Sequence, residues 1–520
     1  MSKCIKMISA ILVIIMVLTV IVGCTVREQP GDKGTSATKA TSEQTQETTQ
    51  QVFVPDISKE VKLKIYSVSD PSPGNPDVQA AINEFIKDKI NTTIEVELLP
   101  WATFWTKYPL LFASGEEFDA VYAANWMEYS KHAKKHAFLE LTDELLNKYC
   151  PDILKEMPAE AWKQAKVDGK IYMIPTTWDE YLINSYVVRG DLRKKYGVGE
   201  IKNMDDFEEY LIAIKENEPE MVPLDLAYGS NGTMVGLYNY AHEITGIGGP
   251  FAVRFTDFSI DSIRLQFEDP DFVNFLKKIK DWKNKGYWTK DALSKQTDLV
   301  ASFANGKSGS IAYNENASIQ AFYLPWKKDH PDWELEIFDS TEGAKCLATA
   351  YIGSGYAVSP NSKNPERALI LANLARTNKE LNRLFVFGIE NVHYKLVGEK
   401  YAEFLTEKPY GDGMTYLFRN KNYQLDTANV FPTYYTVAEA HKARGVTSPW
   451  QAFNFNTEDI QTEITNINEI FNQYGPPLYM GYIEDVDAGV AEVIAKIKGA
   501  GLEKVKAELI KQATEFIANY

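Results

Sequence analysis

Three short stretches of the chain carry residue types that could bind a phosphate or a metal, but none completes its motif. Gly306-Lys307-Ser308 ends like a phosphate-binding loop, yet Ala301 stands where that loop needs glycine, and Gly309–Tyr313 reads as a strand where a helix should begin. His242–Gly246 begins like a zinc-protease helix but lacks the second histidine. Asp485–Asp487 lacks the other oxygen ligands and the glycine of a calcium loop. The sequence therefore predicts no cofactor and no metal.

Cys24 indicates a different kind of chemistry, acylation of a thiol. Lys3 and Lys6 precede an uncharged apolar run of about 16 residues, which is shorter than the ~20 residues that span a bilayer. Ile21-Val22-Gly23-Cys24 resembles the lipobox of bacterial lipoproteins, in which the acylated cysteine becomes the new N-terminus. Residues 1–23 are thus predicted to be a lipoprotein signal peptide, with the protein held on the extracytoplasmic face of a bacterial cell membrane. The alternative is an ordinary secretory signal with an incidental cysteine.

The segment after Cys24 is predicted to be a flexible stalk. Residues 25–51 contain no aromatic residue and a single large aliphatic one, Val26, so they cannot bury enough apolar surface to fold. We therefore assign residues 24–55 to the lipidated cysteine and a disordered stalk. A stalk is useful where a folded part must stand clear of a membrane, which agrees with acylation of Cys24.

The composition beyond the stalk is that of a globular protein. The chain of 520 residues is 45% hydrophobic and 24% charged, and its remaining length exceeds what one hydrophobic core usually spans. The formal charge of −16 opposes binding to nucleic acid and disfavours acidic ligands, although one local basic pocket is compatible with it. Cys150 and Cys346 lie far apart without metal-binding spacing, which favours two separate thiols over one disulfide bridge.

An α/β rhythm opens the folded part. Val61–Tyr66 and Thr92–Leu99 alternate like strands, and Val78–Ile90 between them has helical spacing. Phe104–Phe112 reads as a second helix and Phe118–Ala123 as a third strand. Right-handed crossovers would build a parallel sheet from this β-α-β-α-β unit, and such sheets bind ligands at the carboxyl ends of their strands.

Several longer motifs resemble, in number and order, those of the extracellular solute-binding proteins of ABC importers. Leu110–Trp126 is similar to their helix, Ala-Ser-Gly turn and Asp-started strand. Further marks follow in the family's order: Phe138–Leu141, Gly169–Pro175, Val188–Leu192, Asn305–Gly309, Gly355–Ser359 and Asn364–Ala368. Phe387–Tyr394, Phe453–Phe455 and Tyr474–Leu478 are most similar to the LplA-type lipoproteins of this family.

The resemblance implies an α/β fold with two lobes, the type 2 periplasmic-binding-protein-like fold, with a helical C-terminal region. It predicts lobe one at residues 56–186, completed by about 352–373, and lobe two at 187–351. Residues 374–520 are expected to be helical and to pack on the lobes. It also implies a monomeric receptor, not an enzyme, that passes a ligand to the transmembrane subunits of an ABC permease.

Aromatic residues near predicted strand ends indicate the kind of ligand. Flat rings stack on the apolar face of a pyranose while Asn, Asp and Thr bond its hydroxyls, so an oligosaccharide is expected. Candidate residues from lobe one, all beyond strand ends at one sheet edge, are Asp70, Trp101, Asn125, Trp126, Thr177 and Trp178. Candidates from lobe two and its return crossover are Tyr313, Asn314 and Tyr351. Trp105 lies nearby, with packing as the alternative role for each tryptophan.

A surface enzyme that degrades polysaccharide, as a hydrolase or a lyase, is the alternative function. Such an enzyme needs two carboxylates about 5–10 Å apart. The 71 Asp and Glu residues leave such a pair possible. A structural surface protein would show repeats or sandwich-like strands, and the sequence has neither.

Overall fold

The computed structural model describes residues 55–226, 234–294, 299–314, 324–405, 407–428 and 430–520. The predicted signal peptide, Cys24 and the predicted stalk up to residue 54 lie outside these ranges. Within them, no helix is both long and apolar enough to cross a membrane.

The described chain mixes strands and helices along its whole length. Its strands are β1 (Val61–Val68), β2 (Thr92–Leu99), β3 (Ala120–Tyr122), β4 (Lys166–Val167), β5 (Lys170–Ile171), β6 (Ile174–Pro175), β7 (Asn184–Arg189), β8 (Ile244–Gly248), β9 (Phe251–Arg254), β10 (Arg264–Leu265), β11 (Ser310–Asn314), β12 (Leu335–Ile337), β13 (Cys346–Leu347), β14 (Gly355–Val358), β15 (Tyr394–Val397), β16 (Tyr401–Phe404), β17 (Asp426–Thr427) and β18 (Gly445–Val446).

The helices are interleaved with these strands and become dominant towards the C-terminal end. They are α1 (Asn75–Ile90), α2 (Trp101–Ala113), α3 (Tyr129–Lys134), α4 (Asp143–Tyr149), α5 (Pro151–Glu156), α6 (Ala159–Gln164), α7 (Gly190–Lys195), α8 (Met204–Asn217), α9 (Val235–Ala241), α10 (Pro270–Lys285), α11 (Leu299–Ala304), α12 (Leu324–Asp329), α13 (Pro365–Thr377), α14 (Lys379–Phe387), α15 (Pro432–Arg444), α16 (Gln461–Tyr479), α17 (Val486–Gly499) and α18 (Leu502–Asn519).

A five-stranded sheet with the order β2-β1-β3-β14-β6 forms the centre of lobe one. β1 pairs in parallel with β2 and with β3, so the predicted β-α-β-α-β unit is confirmed. β14 returns from the other lobe and pairs antiparallel with both β3 and β6. β6 therefore runs in the same direction as β1–β3, and the carboxyl ends of these four strands meet at one edge of the sheet.

Two large hydrophobic cores define the two lobes. The core of lobe one is formed by buried apolar side chains from within residues 63–174, 350–385 and 414–418. The core of lobe two is formed by buried apolar side chains from within residues 186–338 and 460–509. Each core thus draws on separated stretches of the chain. The helical C-terminal region is divided between them, since α14 packs in lobe one and α16–α18 pack in lobe two. The predicted residue boundaries of the lobes stay predictions.

The last two helices follow the sequence pattern closely. The amphipathic pattern of Asp485–Tyr520, interrupted at Gly499-Ala500-Gly501, predicts two helices, and α17 ends at Gly499 while α18 begins at Leu502. Gly501 has φ +101, a left-handed conformation that residues with a side chain rarely adopt. The prediction of two helices is confirmed.

Connections between the lobes run side by side. The amide N of Leu182 donates to the Leu347 carbonyl at 2.9 Å, and that of Thr349 donates to the Glu180 carbonyl at 2.8 Å. β13 also pairs in parallel with β18, so the Gly445–Val446 segment lies beside these two connections. Short paired segments of this kind let the lobes rotate while their cores stay intact, which is the architecture of a hinge.

Both cysteines that follow Cys24 are buried thiols that donate to backbone carbonyls. The Sγ of Cys150 donates to the Leu369 carbonyl at 3.5 Å, and that of Cys346 donates to the Ala344 carbonyl at 3.8 Å. Burial raises the pKa of the Cys150 thiol, so this thiol stays protonated and unreactive at neutral pH.

Two buried histidines should make the fold sensitive to mild acid. Burial lowers the pKa of His132 and of His393 below the ordinary value of 6.5. The unfolded chain binds these protons more readily, so stability is complete above about pH 6.5 and falls as the pH drops towards the folded pKa values. Between about pH 7 and 5, we expect the free energy of unfolding of the His132→Phe variant to fall less steeply than that of the unaltered protein. The two slopes should differ by at most about 1.4 kcal/mol per pH unit.

Urea unfolding at several pH values measures this effect. His136→Asn is the matched control, because His136 is exposed and its φ of +59 suits asparagine. An unchanged pH slope in the His132 variant would show that this histidine does not contribute.

Candidate functional site

A cavity of about 490 Å³ lies between the lobes, at the carboxyl edge of the lobe-one sheet. It is lined by Trp101, Tyr122, Asn125, Trp126, Glu180, Tyr181, Leu182, Ile183, Asn184, Tyr240, Thr349, Ala350, Gly353, Ser354, Tyr416 and Arg419. Lobe one supplies the aromatic wall, the hinge segments supply the floor, and Tyr240 of α9 comes from lobe two. We call this space the aromatic cleft.

The aromatic wall consists of tryptophans that remain open to solvent. Trp101 and Trp126 are each 41% exposed and stack with ring centroids 6.0 Å apart. Trp105 is 62% exposed and meets Trp126 edge-on at 6.1 Å. The Nε1 of Trp126 donates to the Gly353 carbonyl at 2.9 Å, which fixes its ring against the hinge. Large rings held rigidly and left uncovered are suited to stack on a ligand.

Polar groups lie beside this wall. The Tyr122 hydroxyl and the Ser354 Oγ are 3.1 Å apart, and burial raises the pKa of Tyr122 to about 12, so its hydroxyl stays neutral. The Nη1 of Arg419 donates to Glu180 at 3.2 Å, and its guanidinium lies 4.3 Å from the centre of the Tyr416 ring. The cleft therefore offers hydrogen-bonding groups next to apolar faces.

The structure brings three of the predicted residues together in the aromatic cleft. Trp101 begins α2 after β2, while Asn125 and Trp126 follow β3, and all three line the cavity. Asp70 follows β1 but is not among the lining residues. Its Oδ1 accepts from the Trp101 amide N at 3.2 Å, so it fixes the start of α2 instead.

Thr177 and Trp178 follow β6 at the same sheet edge but do not line the cleft. Thr177 is buried, and its Oγ1 accepts from Arg376 at 2.9 Å and from the Lys421 amide at 3.2 Å. The Trp178 ring lies behind the lining, 6.2 Å from the ring of Phe387 in the small core of the β15–β17 sheet and 4.9 Å from the guanidinium of Arg419. The chain reaches the cleft a few residues later, at Glu180–Asn184.

The remaining predicted residues belong to lobe two and the return crossover. Tyr351 packs against the lobe-one core, and its amide N donates to Gln164 at 2.8 Å, while its neighbours Ala350 and Gly353 line the cleft. Tyr313 and Asn314 end β11, where the backbone of Asn314 pairs with that of Asn184. The side chains of Tyr313 and Asn314 lie outside the described part of the structure.

Sequence reasoning missed the residues that reach the cleft from distant parts of the chain. Tyr416 and Arg419 come from the connection between β16 and β17, which carries no recognisable motif. For Glu180–Asn184 the sequence offered one signal, since this segment begins two residues after Trp178, which was itself predicted to follow a strand at this sheet edge. Across the described ranges, no group of three or more His, Cys, Asp or Glu residues is placed to hold a metal ion.

The fold and the cleft define a class of protein, a two-lobed protein with a cavity between its lobes. The sequence profile of the bacterial extracellular solute-binding proteins matches residues 80–386. This match spans more than half of the chain, and the chain belongs to that family. Residues 449–518 match a domain of unknown function. Since the family consists of binding proteins, the prediction of a binding protein that acts outside the cytoplasm is confirmed.

Individual proteins resemble this chain over most of its length. A carbohydrate ABC transporter substrate-binding protein of Streptococcus pneumoniae is 26% identical over 466 residues, which cover 88% of this chain and 91% of the relative. Lipoprotein LipO of Bacillus subtilis is 26% identical over 363 residues, covering 65% and 67%.

Solved structures match the fold. The N-glycan transport solute-binding protein NgtS of Streptococcus pneumoniae has a TM-score of 0.73 at 24% identity, covering 89% of this chain and 100% of that chain. Structures of NgtS with Man1GlcNAc and with Man5GlcNAc match with TM-scores of 0.67 and 0.63. The predicted two-lobed α/β fold is confirmed by this likeness.

Proposed function

We propose that this protein is the membrane-anchored, substrate-binding receptor of an ABC importer, and that it captures an oligosaccharide in the aromatic cleft. The exposed pair of stacked rings, Trp101 and Trp126, carries the proposal, because soluble proteins rarely leave such rings uncovered without a partner. The carbohydrate substrate-binding relative and the glycan complexes of NgtS support the class of ligand.

Binding would be coupled to closure of the lobes. A ligand that contacts the lobe-one wall and Tyr240 of lobe two binds the closed form more tightly than the open form. The difference in affinity shifts the equilibrium towards closure, and a transmembrane permease would recognise the closed form. The monomeric state and the permease partner are part of this proposal.

An array of oligosaccharides tests the function. The proposed receptor binds one or more members and releases them unchanged, and a ligand at 100 times its Kd should stabilise the fold by about 2.7 kcal/mol. The same mixtures should show no new reducing ends and no unsaturated products. Turnover by pure protein would support the alternative, a polysaccharide hydrolase or lyase, and failure to bind any member would contradict the receptor.

The lipid anchor makes a separate prediction. Cys24 is proposed to be acylated after removal of residues 1–23, which would hold the protein on the outer face of the cell membrane. LipO, a relative, is itself named a lipoprotein. In cells, Cys24→Ala should move most of the protein from the membrane fraction to the medium or leave it unprocessed. Immunoblots of the fractions, with Cys150→Ala as control, measure this, and an unchanged membrane fraction would contradict acylation at Cys24.

A further inference from the structure

A second cavity, of about 560 Å³, adjoins the aromatic cleft at Asn125, which lines both. Lobe one contributes α3 and the residues around β4, and lobe two contributes the loop from Phe453 to Glu458. The Nδ2 of Asn454 donates to the Ser130 Oγ across the gap between the lobes. This space, which we call the lysine groove, therefore continues the interlobe site and is not a separate surface pocket.

The charge of the lysine groove is opposite to that of the protein. Its charged lining residues are Lys131, Lys134, Lys135, Lys166, Glu128 and Glu458. The chain as a whole carries a formal charge of −16. A basic groove in an acidic protein creates a local field that attracts anions into the interlobe space.

Two lysines of the groove differ from the others in having no carboxylate paired with them among the described residues. Lys131 pairs with Glu128 at 2.8 Å, and Lys134 pairs with Asp168 at 3.4 Å. Within the described ranges, by contrast, neither Lys135 nor Lys166 forms an ion pair, and both are exposed. Their ammonium groups remain available to an anion that enters the groove.

Gln164 provides an independent observation in the same groove. Its side chain is buried, and its Oε1 accepts from the Tyr351 amide N at 2.8 Å. Its Nε2 is then the donor of the amide, and this buried atom has no hydrogen-bond partner among the described residues. A buried donor without a partner costs about 1–3 kcal/mol, so the arrangement is explained if a bound oxygen acceptor satisfies it.

We propose that the ligand is an acidic oligosaccharide whose carboxylate, phosphate or sulfate group lies in the lysine groove while a sugar ring stacks in the aromatic cleft. This inference rests on the proposed function and adds the charge of the ligand. Lys135 and Lys166 attract the acid group, and Gln164 donates to one of its oxygens. The negative net charge of the chain disfavours acidic ligands in general, but the lysine groove is a local basic site that favours them.

The lysine groove is concave and lies between the lobes. This shape favours a small bound ligand as its occupant over an acidic segment of the permease. The lysines share their cavity with Phe453 and Phe455, whose rings stack at 6.4 Å. A flat protein surface would not reach into such a space, whereas the end of a sugar chain would.

Paired oligosaccharides test the inference by calorimetry. The pairs differ only in one acid group, for example a uronic or sialic acid and its methyl ester, with a sugar phosphate and inorganic phosphate as further probes. We expect the acidic member to bind at least about tenfold more tightly at low salt, with a preference that shrinks as salt screens the charges. Lys135→Gln combined with Lys166→Gln should reduce this preference to about twofold or less.

The matched control is Lys89→Gln combined with Lys290→Gln, which removes the same charge from two exposed lysines outside the groove. Equal affinity for both members of every pair would overturn this inference while leaving the receptor intact, and no binding of any member would contradict the receptor itself. A preference that survives the groove variant, or inorganic phosphate binding as tightly as the acidic sugar, would also overturn it. Normal sugar binding with loss of permease binding in the groove variant would assign the lysines to the permease.

Discussion

Trp126→Ala and Trp101→Ala are each expected to weaken binding of the oligosaccharide selected from the array by at least about tenfold, or 1.4 kcal/mol. Each variant removes one ring of the exposed stacked pair in the aromatic cleft. A stacked ring contributes more than one hydrogen bond shared with solvent. The fold should survive, because both side chains are 41% exposed and lie at the edge of the lobe-one core.

Calorimetry with the purified variants measures the effect, and thermal unfolding reports on the fold. Leu110→Ala is the matched control, since Leu110 is 58% exposed on the same helix as Trp101 and does not line the cleft. Trp178→Ala provides a second comparison. Because the Trp178 ring packs with Phe387 and touches the cleft only through Arg419, this variant should lower stability and weaken binding less than the two cleft variants do. Unchanged affinity in both Trp101 and Trp126 variants would place the stacking surface elsewhere.

Arg376→Met is expected to destabilise the protein by about 3–5 kcal/mol, the largest effect on stability predicted here. The Arg376 side chain is fully buried, and its Nε lies 2.9 Å from Glu156. It also donates to the Arg419 carbonyl at 2.6 Å and to Thr177 at 2.9 Å. Burial lowers the pKa of Arg376 to about 10, which still leaves it charged at neutral pH. Its removal takes the cationic partner from Glu156, which keeps only the Asn420 amide, and takes one donor each from Thr177 and from the Arg419 carbonyl.

Urea unfolding of the variant measures this loss. Lys379→Met, an exposed lysine at the start of α14, is the control and should change stability by less than about 0.5 kcal/mol. A loss below about 1 kcal/mol in Arg376→Met would mean that the buried ion pair does not hold this region together. Arg376 binds the backbone of Arg419, which lines the aromatic cleft. Arg376→Met protein that still folds should therefore also bind the oligosaccharide more weakly.

Local sequence pattern was sufficient for the first half of lobe one. The alternation of β1 and β2 and the helical spacing of α1 located the sheet, and the carboxyl edge of a parallel sheet then located Trp101 and Trp126. The pattern could not show which way a side chain turns after its strand ends. Trp178 and Thr177 lie at the predicted edge, but neither lines the cleft. The Trp178 ring packs against Phe387 of α14, and the Thr177 hydroxyl is bound by Arg376.

Long-range assembly accounts for the rest of the site. Tyr416 and Arg419 reach the cleft from more than 200 residues beyond the tryptophans in the chain, and no local spacing predicts such a contact. The lysine groove was hidden for the same reason. Lys131, Lys135 and Lys166 look like ordinary solvated charges in the sequence, and only folding places them opposite the Phe453–Glu458 loop.

A crystal structure of the protein with the tightest-binding oligosaccharide from the array tests the central claim most directly. We predict a closed form in which a pyranose ring lies about 4 Å from the Trp126 or Trp101 ring and hydrogen-bonds the polar groups of the cleft. A sugar bound outside the aromatic cleft, with both tryptophans still open to solvent, would contradict the account.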